Sequence, residues 1–195
     1  MLFRSPSEAT GPLNTAQALG GDGATQGHAK SSYAAVNGAN DNPYTNSAAV
    51  STRGVFGYNS AVKESDITDG TSKTMLLVER LWDGLDGEKR RGGVWAGRSP
   101  GNATICGANC GNKYSTMVRV ENSASWVING SNNNSAASNH GGRMMNPGGT
   151  NMRGGFGVNT VFADGSVRLI SEFVDGTVWQ RLGTRADGQQ IAGEY

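Results

Sequence analysis

Very little in this chain pulls toward a charged partner or a lipid bilayer. The 17 lysines and arginines nearly cancel the 16 aspartates and glutamates, leaving a net charge of +1. That balance removes the electrostatic footprint expected of a nucleic-acid-binding domain or of a protein held on an anionic membrane surface. No apolar run approaches the roughly 20 residues needed to cross a bilayer, and the first residues lack a signal-peptide core. As given, the chain is expected to be soluble. Aromatic residues make up only 7% and hydrophobic residues 36% of the sequence, while glycine occurs 30 times. Such a composition is lean for a compact enzyme and fits a small sheet carrying long polar loops. With 195 residues it is expected to form a single domain, 1–195, whose first 52 residues are mostly loop and whose sheet core occupies 53–195.

Cysteine is almost absent. Cys106 and Cys110 stand in "ICGANCGN". Two thiols so close in a Gly/Asn loop suit a small disulfide ring, with free thiols as the alternative, and a ring implies an extracytoplasmic location. Zinc wants four ligands, and the two histidines, His28 and His140, lack finger-like spacing.

What is present is β-sheet and turn chemistry. In "VNTVFADGSVRLISE" Val158, Thr160 and Phe162 alternate with Val161 and Ala163, and Val167 and Leu169 continue the pattern beyond Asp164-Gly165. This predicts a hairpin with a two-residue type I′ turn. Further on, Thr177 and Gln180 have capping-box spacing, Val178, Trp179 and Leu182 supply an apolar face, and Gly183 ends a short helix with Trp179 as a core anchor. Residues 74–82 and 92–96 read as two strands of a long-looped hairpin. "TMVRVE" and "SWVING" are further short strands, and "SSYAAVNG" is a short ordered segment anchored by Tyr33. About twenty-five residues around His140 show no periodicity, a length that marks a functional or mobile loop.

Seven of the nine aspartates precede glycine, so aspartate serves here mainly as a turn former. Two clusters go further: Glu64, Asp66 and Asp69 in "ESDITDG", and Asp83, Asp86 and Glu88 in "DGLDGE". Calcium takes six to eight oxygens in flexible geometry, which makes Asp66, Asp69, Asp83, Asp86 and Asp164 candidate calcium ligands. "KRR" at 89–91 equally neutralises the second cluster. No nucleophile elbow, zinc-protease helix or phosphate loop occurs. One enzymatic alternative survives: a calcium- or metal-dependent hydrolase of a small ester or lactone, with His140 and Asp164 as its catalytic residues. Against it, His140 is equally suited to cap a turn. Arg168 and Arg185 read as neutralising nearby acids. A carbohydrate- or surface-binding module using Trp82, Trp95 and Trp126 is a third reading.

The residues also carry a resemblance. "FADGSVRLISEFVDGTVWQRLGTRADGQQI" resembles the C-terminal signature of a prepilin-associated family of unknown function, named for a His, nine spacers, then Asp-Gly. "LFRSPSE" is similar to its Cys-Pro-Ser-Asp segment with Ser5 in the cysteine position, "SSYAAVNG" to its Tyr-Ala-x-x-x-Gly stretch, and "DITDGTSKTMLLVER" to its Asp-Gly-Thr-Ser-Asn-Thr block and the strand after it. The resemblance implies a pilin- or pseudopilin-like head: a mainly β, α+β fold in which an antiparallel sheet with long loops is followed by a short C-terminal helix. It implies an extracytoplasmic, structural role among other pilin-like subunits or type II secretion components, with calcium as a candidate structural ion and the membrane reached only through an N-terminal helix. Here the chain starts at the segment that normally follows that helix, which implies a truncated head or one closed by other contacts. Twenty-three residues, 141–163, separate His140 from Asp164 where the family has nine.

Overall fold

A computed structural model describes residues 13–14, 28–39, 49–57, 60–79, 93–94, 99–100, 112–113, 117–118, 120, 122, 128, 157–191 and 195. In chain order the strands are β1 (Leu13–Asn14), β2 (His28–Ser31), β3 (Tyr33–Val36), β4 (Met75–Glu79), β5 (Gly93–Val94), β6 (Ser99–Pro100), β7 (Asn112–Lys113), β8 (Met117–Val118), β9 (Gly157–Phe162) and β10 (Val167–Ser171). Among the described residues, short 3-10 turns cover Val50–Thr52, Glu64–Asp66 and Thr71–Lys73, and one α-helix, α1 (Gly176–Leu182), follows β10. Among the described residues no helix is long and apolar enough to cross a membrane.

The main sheet runs β10-β9-β4-β3-β8, antiparallel except where β8 lies parallel to β3. Two smaller sheets, β1-β2-β5 and β6-β7, accompany it. This is the mainly β, α+β architecture expected from the sequence. One expectation changes. Among the described residues the 74–82 strand does not pair with 92–96: β4 lies between β3 and β9, while β5 pairs with β2. The ordered segment anchored by Tyr33 is β3, an inner strand of the main sheet.

Period two explains which side chains enter the core. On β9, Val158, Thr160 and Phe162 are buried, and on β10 Ile170 joins them. On β4, Met75 and Val78 both point inward although they are three residues apart, because the register slips between Met75 and Leu77. The slip places an additional residue, Leu76, in β4, as a β-bulge does. Ala34, Val36, Val120, Ile128 and Ile191 complete the cluster, and α1 closes it with Trp179 and Leu182, both fully buried.

The helix starts differently from the sequence expectation. Asp175, not Thr177, is its N-cap: one carboxylate oxygen accepts from the Thr177 and Val178 amides at 2.8 and 3.1 Å. An aspartate in that place satisfies two of the amide groups that a helix start leaves without partners. Gln180 instead reaches sideways, its amide oxygen accepting from the Asn122 backbone N–H at 2.9 Å. Gly183 ends the helix as expected. It does so with no Cβ because Val120 packs where one would stand.

The β9–β10 turn also differs. The Gly165 amide donates to the Phe162 carbonyl and the Phe162 amide to the Ser166 carbonyl, both at 2.9 Å. The loop is therefore three residues, Ala163 to Gly165, with Gly165 at φ 83°. A turn centred on Ala163-Asp164 followed by a left-handed glycine is the three-residue hairpin solution. It frees the Ala163 and Asp164 amides to donate to Thr74 and Thr71 at 2.9 and 3.1 Å.

Candidate functional site

Those last two hydrogen bonds join the two blocks of sequence that carry the resemblance best. The tip of "FADGSV" sits on the 3-10 turn of "DITDGTSKT", and a third segment, residues 184–191, wraps the same corner. The Thr74 hydroxyl donates to the Gly70 carbonyl at 3.1 Å and is 3.4 Å from the Thr184 carbonyl. The Asp69 amide donates to the Arg185 carbonyl at 3.2 Å. The Asp69 carboxylate accepts in return from Asp187 N–H at 2.7 Å and Gly188 N–H at 2.9 Å, one on each oxygen. Lys73 extends toward the Ile191 carbonyl at 3.4 Å. Between them lies a polar depression of about 410 Å³ lined by Thr68, Asp69, Lys73, Gly188, Gln189 and Gln190.

Each described aspartate of the predicted set turns out to hold backbone. Asp66 accepts from the Lys63 N–H at 2.9 Å, closing its own 3-10 turn. Asp69 clamps the 187–188 segment. Asp164 accepts from both the amide and hydroxyl of Ser166, at 2.9 and 2.7 Å, and lies 3.9 Å from Arg168. Among the described residues no three His, Cys, Asp or Glu side chains come together as a metal-holding group. Among the described residues Asp66, Asp69 and Asp164 are not brought together in one group. Asp83, Asp86, His140, Cys106 and Cys110 lie outside the described residues, as do Trp82, Trp95 and Trp126.

Hydrogen bonds set the acidity of Asp164 and of the helix cap Asp175. The Ser166 hydroxyl and amide hold the Asp164 carboxyl below its ordinary value of 3.8, with Arg168 adding to the effect. The Val178 and Thr177 amides do the same for Asp175. A carboxyl whose folded value is depressed stabilises the fold above its unfolded value, and that contribution fades as pH falls through the folded value. The urea midpoint is accordingly expected to drop on acidification below about pH 4. In an Asp164→Asn/Asp175→Asn variant, which keeps the acceptors but not the charge, the acid slope should be shallower; an unchanged slope would place the acid sensitivity elsewhere.

Asp69 offers a second test. Removing its carboxylate in Asp69→Ala leaves the Asp187 and Gly188 amides without their acceptor, a loss of about 1–2 kcal/mol given that solvent reaches this corner. Amide exchange at Asp187 and Gly188 should accelerate at the same time. Unaltered exchange there would show that the clamp contributes nothing.

Arg168 does more than neutralise an acid. Its guanidinium lies 4.6 Å from the centre of the Phe162 ring and 5.9 Å from that of Tyr195, and donates to the Tyr195 hydroxyl at 3.2 Å. The cation thereby ties residue 195 to the hairpin. Arg185, expected to neutralise a nearby acid, pairs with none among the described residues; it donates to the Gly54 carbonyl at 2.5 Å, and its amide donates to the Arg53 carbonyl.

A further acid escaped notice as a site residue. Glu79, the last residue of β4, is 1% exposed. One of its carboxylate oxygens accepts from the side-chain amide of Asn159 at 2.8 Å and from its backbone N–H at 3.3 Å. Tyr33 stands opposite it on β3. Burial first, and the Glu79 charge second, push the Tyr33 hydroxyl above its usual range. The row Tyr33-Glu79-Asn159 thus runs across three strands, with Glu79 hydrogen-bonded to Asn159 and in register with Tyr33. Its only sequence signal was the glutamate closing "TMLLVE".

The fold and this corner define a mainly β, α+β domain whose recurrent Asp-Gly turns fasten one segment to the next. The chain belongs to the family described as protein of unknown function (DUF1559), whose profile matches residues 1–177. No curated protein and no solved structure gives a significant match.

Proposed function

We propose that this chain is a pseudopilin-like structural domain of an exported pilus or type II secretion type assembly, working among other pilin-like subunits outside the cytoplasm. The family match over residues 1–177 carries the reading, because the prepilin-associated resemblance runs through the same length of chain. The arrangement of its two most specific blocks adds support. "DITDGTS" and "FADGSV" meet through backbone hydrogen bonds, and their aspartates accept from amide and hydroxyl groups. A domain whose marked residues fasten loops suits a building block better than a catalyst.

Deleting the gene and restoring it tests the proposal. The expected result is loss of a surface filament, or of a secreted protein set, that returns with the intact gene. Cross-linking in the restored strain should recover a pilin-like subunit. Normal filaments and normal secretion in the deletion strain would overturn the reading.

A further inference from the structure

Among the described residues, the outer strand β10 leaves one edge of the main sheet unpaired. In its pairing with β9, Ser166 lies opposite Phe162, Arg168 opposite Thr160 and Ile170 opposite Val158. The Phe162 amide bonds the Ser166 carbonyl, so these alternate pairs are the ones that exchange hydrogen bonds. The N–H and C=O groups of Val167 and Leu169, and the N–H of Ser171, therefore point away from β9. Among the described residues nothing is paired to Val167 or Leu169 on that side. The Ser171 carbonyl accepts from the Val174 amide at 3.1 Å and retains a second lone pair.

The side chains along this edge are apolar and uncovered. Val167 is 64%, Leu169 51% and Phe173 80% exposed, three of the four large exposed hydrophobics among the described residues. Sheet edges are usually guarded by a lysine, a proline, a bulge or a cover. Residues 167–171 contain none of the first two, and their pairing with β9 has no bulge. The one charge, Arg168, is turned to the other face, over Phe162 and Tyr195.

We propose that β10 pairs antiparallel with β10 of a second copy of this chain, about a two-fold axis at Leu169. The strand is complementary to itself in that register. Each Leu169 exchanges both backbone bonds with its mate, and Val167 exchanges with Ser171 on either side. Arg168 then faces Ile170 of the other copy. The neighbouring register, Val167 on Leu169, would set the two Arg168 side chains opposite one another, and like charges directly across a ladder disfavour it. Leu169 meets Leu169 on the exposed face, flanked by Val167, and the two main sheets become one continuous sheet. An interface using the same patch on both partners is the ordinary closed form of a homodimer. This inference stands independently of the secretion or pilus reading, since it rests on the edge alone.

Sedimentation over a concentration series of the full chain, with Leu169→Lys in parallel, tests it. The wild-type mass should approach double the monomer value as concentration rises. Leu169→Lys, which sets two ammonium groups against each other on the axis, should stay monomeric while its circular dichroism and melting match the wild type. Amide exchange at Val167 and Leu169 should slow with concentration, while that at Arg168, bonded to β9, should not. A wild type that stays monomeric up to its solubility limit overturns the proposal, as does a Leu169→Lys protein that dimerises equally well. So does protection of the Val167 and Leu169 amides that is already complete in the dilute monomer, because another segment would then cover the edge.

Discussion

Gly38→Ala is expected to lose the native fold at temperatures where Gly70→Ala keeps it. The two glycines have almost the same backbone, φ 103° and 101°. Alanine strains both, at roughly 1–3 kcal/mol for a residue held in so sparsely populated a region. Only Gly38 adds a collision. It forms an isolated bridge with Arg53, and a Cβ there would land in the backbone of Thr52, Arg53 and Gly54, whereas Gly70 faces open space. The Gly54 amide donates to the Asn37 carbonyl at 2.9 Å and the Val120 amide to the Gly38 carbonyl at 3.1 Å, so the crossing holds three segments together. Forcing them apart adds about another 1–3 kcal/mol. Urea denaturation of the two variants side by side separates the steric part from the dihedral part. Equal midpoints would mean that the crossing yields without cost.

Trp179→Ala is the second large effect. Trp179 is the largest fully buried side chain among the described residues, and with Leu182 it brings α1 into the core cluster that holds Val36, Val78, Phe162 and Ile170. Removing an indole from such a core costs about 3–5 kcal/mol through lost burial and the cavity left behind. For a domain of this size the melting temperature should fall on the order of 10 °C. Trp179→Phe should recover much of that. A shift of a degree or two for the alanine variant would show that α1 is a peripheral element.

These two residues mark where sequence was informative and where it was not. Trp179 was readable, as was the β9–β10 hairpin, because both rest on local periodicity and on turn residues a few positions apart. Gly38 was visible only as part of a family resemblance. Its reason lies in a backbone from residues 52–54 that no local pattern announces. The partner of β4 was missed on the same grounds: its register with Tyr33 on one side and Thr160 on the other spans distances along the chain that periodicity does not see. β3 itself was underestimated, since Ala34 and Ala35 give a weak apolar signal although Ala34 is buried. The acids divide similarly. That Asp-Gly pairs make turns was evident from composition, whereas the Asp69 carboxylate gripping amides 118 and 119 residues away was not. Asp164 bends the chain and is held by Ser166 and Arg168, one residue displaced from the turn geometry its Asp-Gly pair suggested.

The order of strands also governs when the sheet can close during biosynthesis. β4 meets β3 on one edge and β9 on the other, and Val158, Phe162, Ile170, Trp179, Leu182 and Ile191, half of the core cluster, all lie beyond residue 157. A nascent chain shorter than that must carry Val36, Met75 and Val78 without their cover. Long-range strand pairing of this kind is slow and leaves apolar segments open to misassociation while it waits. The same delay leaves these strands without partners until the last fifth of the chain has been made, the interval in which a holding chaperone would recognise them.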